Sequence, residues 1–409
     1  MTDHHLLTLL IFAITYAVIA LGEIPFFRID RTGAALAGAV AMVISGALSE
    51  NAAEHAIDVH TLALLLGMML VVANLRLSGA FALFARAMLA RARSGHGMLA
   101  MTIAAAGILA AFFINDVVCI AMTPLVIDAA AAAEVDAVPL LLGLATASNI
   151  GSAATITGNP QNMIVAGFAH LGYLPFLLHL APAAIVGLVV NYAVIAIIYR
   201  ERLTSARLAN GVAMRPPRVL RPLMIKSSLV ALAVLAMFML GYPTHLVALA
   251  AGAFLLFSRR IKPARIYALV DWTMLAMFTG LFVVVAGLES TGFAPAMLKL
   301  VGAQRLTNPI ALTAVVAVLS NLVSNVPAVL LFRPLYPMLG GSRTVALLIA
   351  SASSYAGNLT VVGSIANLIV IEQAHRRGVQ ISFRDYLRVG VPITIATLAI
   401  NTAVLWLWP

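Results

Sequence analysis

Four groups of amides and hydroxyls interrupt a sequence that is otherwise mostly apolar. The first is the pair Asn115-Asp116. The second gathers Ser148, Asn149, Ser152, Thr155, Thr157, Asn159, Gln161 and Asn162. The third holds Ser320, Asn321, Ser324 and Asn325, and the fourth Ser351, Ser353, Ser354, Asn358, Thr360, Ser364 and Asn367. Backbone that leaves the helical ladder inside a membrane must be satisfied by protein groups or line a wet cavity. Amides and hydroxyls can do this, and they can also hold a ligand. Freed carbonyls suit a cation, and half-helix N-termini suit an anion or a polar hydroxyl. The plainer reading is that these residues only join helices, as small and polar residues commonly do.

Two ionisable residues fall inside the same apolar stretches. Asp116 is a functional-site candidate because a carboxyl group there is costly. It can bind a cation, carry a proton, cap its own half-helix or pair with Arg333. Arg333 can extend outward to water, pair with Asp116 or attract an anion. Enzyme chemistry finds no support. There is no HExxH, no convincing Ser-Lys, Ser-His or paired-Asp set, and Cys119 is the lone cysteine, so neither a disulfide within the chain nor a multi-cysteine metal site can form. No cofactor is expected. The polar candidates for substrate or ion binding are Asn115, Asp116, Ser148, Asn149, Thr155, Asn159, Asn162, Ser324, Asn325, Ser353, Asn358, Thr360, Asn367 and Arg333.

The elements that must position these residues follow from hydropathy. The 409 residues are 62% hydrophobic and 10% charged, whereas soluble domains carry about 25% charged residues. Apolar runs able to cross a bilayer recur from end to end. Ten spans are expected: 5–21, 34–49, 58–77, 138–169, 176–199, 226–241, 245–258, 269–288, 344–371 and 387–408. The first lacks a basic leader and a cleavage site and reads as a retained helix. Spans 138–169 and 344–371 exceed one crossing and carry the polar clusters, so they read as broken helices. Segments 98–133 and 310–339 read as re-entrant hairpins with tips at Asn115-Asp116 and Ser324-Asn325. The net charge of +10 sits in short loops, which favours membrane topology over nucleic-acid binding. With both termini outside, 20 of the 25 Lys and Arg residues fall on the cytoplasmic side, including Arg28, Arg259 and Arg260, and Lys299, Arg305 and Arg343 fall outside.

The chain repeats internally. Residues 58–79 align with 271–292, matching Gly67 to Gly280 and Gly79 to Gly292. Residues 115–124 align with 325–334, matching Asn115 to Asn325. Residues 148–162 align with 353–367, matching Ser148 to Ser353, Thr155 to Thr360 and Asn162 to Asn367. One repeat starts outside and the other inside, so the repeats are inverted. That arrangement places substrate at the repeat interface, on discontinuous helices. The expected fold is an all-α membrane protein of two inverted repeats, with about ten transmembrane helices, two re-entrant hairpins and two broken helices. Repeats 1–199 and 226–409 would be joined by a basic cytoplasmic linker, 200–225.

The stretches FFINDVVCIAMTPLVI (112–127), ATASNIGSAATITGNPQNMIVAG (145–167), LSNLVSNVPAVLLFRPL (319–335) and AGNLTVVGSIANLIVIE (356–372) resemble the ion transporter superfamily. That group includes arsenical pump membrane proteins, sodium/proton antiporters of similar fold and divalent anion/sodium symporters. The Asn-Asp tip followed by Thr-Pro looks like the arsenical pump and anion-permease branch, with a citrate-transporter-like domain. Neither tip has the Ser-Asn-Thr of the sodium-dicarboxylate branch, which weakens that assignment. The resemblance implies a multi-pass protein of the bacterial inner membrane that expels arsenite or antimonite against protons. The alternative it leaves is sodium- or proton-coupled transport of an oxyanion or small carboxylate. It also leaves room for a cytoplasmic ATPase subunit and for a homodimer. No nucleic acid is expected as a partner.

Overall fold

The computed structural model of the chain describes residues 3–24, 29–204, 217–258, 261–292 and 306–408. Linker residues 205–216 and the basic residues Arg28, Arg259, Arg260, Lys299 and Arg305 lie outside the described residues. The rest is almost wholly helical. The first half holds α1 (Asp3–Leu21), α2 (Arg31–Ile44), α3 (Glu50–Ala56), α4 (Val59–Ser78), α5 (Ala80–Leu89), α6 (Gly95–Phe112), α7 (Asn115–Ala132), α8 (Ala137–Ser152), α9 (Pro160–Phe168), α10 (Tyr173–Ile198) and α11 (Arg200–Thr204). The second half holds α12 (Arg221–Met239), α13 (Thr244–Leu256), α14 (Pro263–Tyr267), α15 (Trp272–Ser290), α16 (Pro309–Val323), α17 (Asn325–Phe332), α18 (Arg343–Ala356), α19 (Ile365–Arg376) and α20 (Phe383–Leu407). A two-residue antiparallel ribbon pairs Glu23 with Asp30 and Ile24 with Ile29.

Seven of the described helices are long and apolar enough to cross a membrane, among them α6 and α7, the arms of the first hairpin. Each of these arms has 18 residues, about 27 Å at the helical rise. The sequence reading took both hairpins as re-entrant. The arms of the first are long enough to cross, whereas those of the second have 15 and 8 residues. Helices α8 and α18 are buried along nearly their whole length. Outer helices bury only a stripe. On α10 the side chains of Ile185, Val189 and Ile197 face outward, as do Leu229 and Leu232 on α12, as expected of surfaces meeting lipid.

The two halves grip each other through corresponding helices. Helix α4 packs along α13, and α15 packs along α2. The contact is made at the aligned glycines. A Cβ on Gly67 would lie 2.4 Å from the carbonyl carbon of Ala248, and one on Gly280 would lie 2.7 Å from that of Ala35. Only a residue without a side chain lets the backbones approach this closely. Corresponding caps start the paired helices: Asp58 accepts from the Thr61 N–H, and Asp271 from the Met274 N–H.

Short helices α3, α5, α11 and α14 stand where the sequence reading expected loops. Helix α5 has a structural task. Phe81, Ala85 and Leu89 form its buried stripe, and the Phe81 ring meets Phe113 edge-on at 5.3 Å, bracing the first hairpin tip.

Candidate functional site

Each hairpin breaks for one or two residues. After α6, Phe113 and Ile114 are extended before α7 begins at Asn115. After α16, Ser324 alone makes the break, at φ +73° and ψ 159°. That backbone region is strained for a residue with a side chain. The long spans break in matching ways. Between α8 and α9 a 3₁₀ turn covers Ile156–Gly158, and between α18 and α19 one covers Val361–Gly363. Thr155 (φ −135°, ψ 163°) and Thr360 (φ −134°, ψ 162°) lead into them with near-identical backbone.

Breaking a buried helix leaves carbonyls without donors. One amide in each half supplies them. Asn162 Nδ2 donates to Ser152 O at 3.0 Å and Thr155 O at 2.7 Å. Asn367 Nδ2 donates to Gly357 O at 2.7 Å and Thr360 O at 3.1 Å. Gly158 lets this turn fold back, since a Cβ there would sit 2.1 Å from Ser152 O.

The halves then interlock. Asn149 Nδ2 donates to Asn358 Oδ1 at 2.9 Å and Asn367 Oδ1 at 3.0 Å. Its own Oδ1 accepts from Ser364 Oγ at 2.9 Å and from Asn115 Nδ2 at 3.0 Å. In the reverse direction Ser354, the residue aligned with Asn149, accepts from Asn159 Nδ2 at 2.8 Å and donates to Asn162 Oδ1 at 3.4 Å. These side chains are buried, so satisfied bonds here also specify how the halves register.

Beside this network lies a cavity of about 50 Å³, lined by Asn115, Asp116, Gln161, Ser324, Asn325 and Ser364, with Met274, Met277 and Phe278 of α15 as an apolar wall. Asp116 makes no hydrogen bond or ion pair among the described residues. The Asn325 Oδ1 is buried without a hydrogen-bond partner. Both are therefore disposed to meet a ligand.

Of the residues singled out from sequence, Asn115, Asp116, Ser324 and Asn325 line the cavity, and Asn149, Asn159, Asn162, Asn358 and Asn367 build the network beside it. Four others satisfy backbone. Ser148 bonds Ala145 O, Thr155 bonds Ala111 O, and Ser353 bonds Asn325 O; Thr360 bonds the Asn321 side chain that in turn holds Ala356 O. Arg333 is elsewhere. Its Nη1 donates to Ala56 O at 3.3 Å and its guanidinium stands over the Phe282 ring. It borders a separate cavity of about 860 Å³ with His55, Asp58, His60, His170 and Glu289. The Arg333–Asp116 pair is not formed: Arg333, at the end of α17, lines the larger cavity beside Phe282, and Asp116 lines the tip cavity. Sequence reasoning placed Gln161, Ser354 and Ser364 in the polar clusters but left them out of the binding candidates. Ser354 was legible through its alignment with Asn149, whereas the α15 wall had no polar signal to reveal it.

A family model described as citrate transporter matches residues 9–338. The chain belongs to the citrate transporter family. It is a multi-pass membrane transporter and not an enzyme. Among relatives of this citrate-transporter-family protein, the silicon efflux transporter LSI3 of Oryza sativa subsp. japonica is 28% identical, over 95% of each chain. The putative transporter arsB of Dictyostelium discoideum is 23% identical, over 92% of this chain and 87% of its own. The YdaH transporter of Alcanivorax borkumensis superimposes with a TM-score of 0.62 at 14% identity, covering 99% of this chain and 98% of its own, which is a likeness of fold.

Proposed function

We propose that this transporter expels a small uncharged hydroxide, with arsenite or antimonite as the leading substrate, in exchange for protons carried by Asp116. One observation carries the reading: the cavity at the hairpin tips is lined by amides, hydroxyls and a single carboxylate, with no basic side chain. Arsenite near neutral pH is mostly an uncharged trihydroxide. It needs hydrogen-bond donors and acceptors and gains little from a fixed cation. A cavity of this volume has room for roughly three to five water-sized groups, which matches four heavy atoms. Cys119 supplies no metalloid ligand set. It is buried, with its Sγ against Ser148 Oγ at 3.2 Å, and one thiol is no multi-sulfur site. The names of the silicon efflux relative and of arsB support a substrate of this chemical kind. In the orientation we favour, both termini are outside and the linker between halves is cytoplasmic.

A second reading is coupled transport of an oxyanion or small carboxylate. The family's description and the Arg333 cavity favour it. Inside-out membrane vesicles carrying the protein decide between the two. Arsenite, antimonite, silicic acid and citrate are offered in turn under an imposed proton or sodium gradient. Proton-driven accumulation of a neutral hydroxide is the expected result. Citrate transport with no movement of any neutral hydroxide would replace the first reading with the second.

A further inference from the structure

Asp58 and Asp271 cap corresponding helices, and each stands at the mouth of a cavity. Asp58 borders the vestibule of about 860 Å³ that holds Arg333. Asp271 borders a cavity of about 230 Å³ on the α2 side. The smaller one adjoins the site. Met274, Met277, Ser324 and Ile365 line both it and the tip cavity of Asp116. The larger vestibule has no lining residue in common with the tip cavity. Asp271 is also near enough for its charge to act on Asp116.

The two caps differ in what they leave over. Asp58 commits both oxygens: Oδ1 accepts from the Thr61 N–H at 3.0 Å and Oδ2 from Thr61 Oγ1 at 2.5 Å. Asp271 gathers both donors on Oδ1, the Met274 N–H at 2.9 Å and Thr273 Oγ1 at 2.6 Å. Its Oδ2 has no hydrogen-bond partner among the described residues, and the residue is exposed. The other charged groups at this mouth are Asp30 and Arg31 at the start of α2. Asp30 is engaged through Oδ1 as the cap of its own helix, at 2.7 Å from the Gly33 N–H.

We propose that Asp271 is the proton-relay carboxylate of this transporter, receiving protons from Asp116 by way of the adjoining cavity and releasing them to solvent at the mouth, which is cytoplasmic in the orientation we favour. The inference rests on the reading of Asp116 as the proton carrier. The proton leaves the Asp116 carboxyl for water in the cavity and is received on Asp271 Oδ2. Asp271 then releases it to bulk, so no other reactant is needed. It acts through Asp116 and is a positioning residue, away from the substrate.

Asp271→Asn tests it, because Asn caps a helix about as well as Asp and yet cannot carry the proton. The assay uses whichever of arsenite, antimonite, silicic acid or citrate the unaltered protein carries. Proton-driven transport by Asp271→Asn should fall about tenfold below neutral pH and recover in alkali, where hydroxide takes the proton from Asp116 directly, the behaviour of a lost proton-release group. Substrate-for-substrate exchange, which needs no net proton movement, should be unchanged. Asp58→Asn, the corresponding cap, should keep the normal pH profile. A normal profile in Asp271→Asn, or the same defect in Asp58→Asn, overturns the relay. Asp116→Asn run alongside separates the two ideas. If it keeps proton-driven transport, the carrier reading fails and the relay with it. If it abolishes transport while Asp271→Asn is normal, only the relay fails. A substrate-independent arm uses Met277→Cys in a Cys119→Ser background. It should react with a hydrophilic thiol reagent added on the Asp271 side, and inertness from both sides overturns the connecting cavity.

Discussion

Asn162 in the first half and Asn367 in the second each tie two carbonyls of their own broken helix with one side-chain amide. The residues between those ties are not alike. Asn149 reaches from the first half into the second with three hydrogen bonds, whereas its counterpart Ser354 returns the contact with a hydroxyl. Asp116 follows the first hairpin tip, and Val326 follows the second. The first tip opens through two extended residues, and the second through Ser324 alone in a left-handed conformation. The bonds that hold the scaffold recur in both halves, and both halves line the tip cavity, but its one carboxylate belongs to the first alone. A repeat can diverge this way because the ties satisfy a backbone need present in both halves, while a ligand needs its charge on one side only.

Asp116→Asn should have the largest effect. Proton-driven transport should drop to the level of vesicles lacking the protein, with insertion and folding preserved, as judged by gel filtration in mild detergent. A mutant that still transports would make the carboxylate a structural group and leave the asymmetry of the tips without a function.

Asn162→Ala and Asn367→Ala probe the symmetric part. Each strands two buried carbonyls, and an unsatisfied buried group costs about 1–3 kcal/mol. Both proteins should therefore lose thermal stability in detergent to a similar degree. Unequal losses of more than about 2 kcal/mol, beyond the spread expected for one kind of interaction, would show that the two ties do not share one role.

Arg333→Gln comes next. With Arg333 in the larger vestibule, away from the tip cavity, efflux of a neutral hydroxide should stay within about threefold of normal, since the lost contact is a weak one to Ala56 O. An anion held by the guanidinium would lose a charge-assisted bond of about 1.5–3 kcal/mol, roughly 10-fold to 150-fold in affinity. Measuring arsenite and citrate in the same membranes tells these apart. Cys119→Ser should have the smallest effect. The hydroxyl can keep the contact to Ser148, and metalloid resistance in a sensitive host should be nearly unchanged. Loss of resistance at normal expression would put sulfur in the site.

Sequence alone determined a good deal of this protein. Apolar runs long enough to span a bilayer announced the helices, and clustered amides inside them announced where the helices break, because a broken ladder in lipid must be answered by nearby side chains. The order of Asn, Gly and Thr across both halves made the corresponding breaks legible, down to the Asn162 and Asn367 positions. Tertiary structure decided the rest. Periodicity reports that a face is buried and is silent on its partner, so nothing in the sequence paired Asn149 with Asn367 or Ser354 with Asn159. Helix α5 escaped notice because ten residues with a three-residue buried stripe look like a loop joining spans. Arg333 lay in the same sequence segment as a hairpin tip, but it stands at the far end of α17, over the Phe282 ring and bonded to Ala56 O, in a different cavity. The tip cavity, and the residues it shares with the cavity beside Asp271, arise where elements distant in sequence converge.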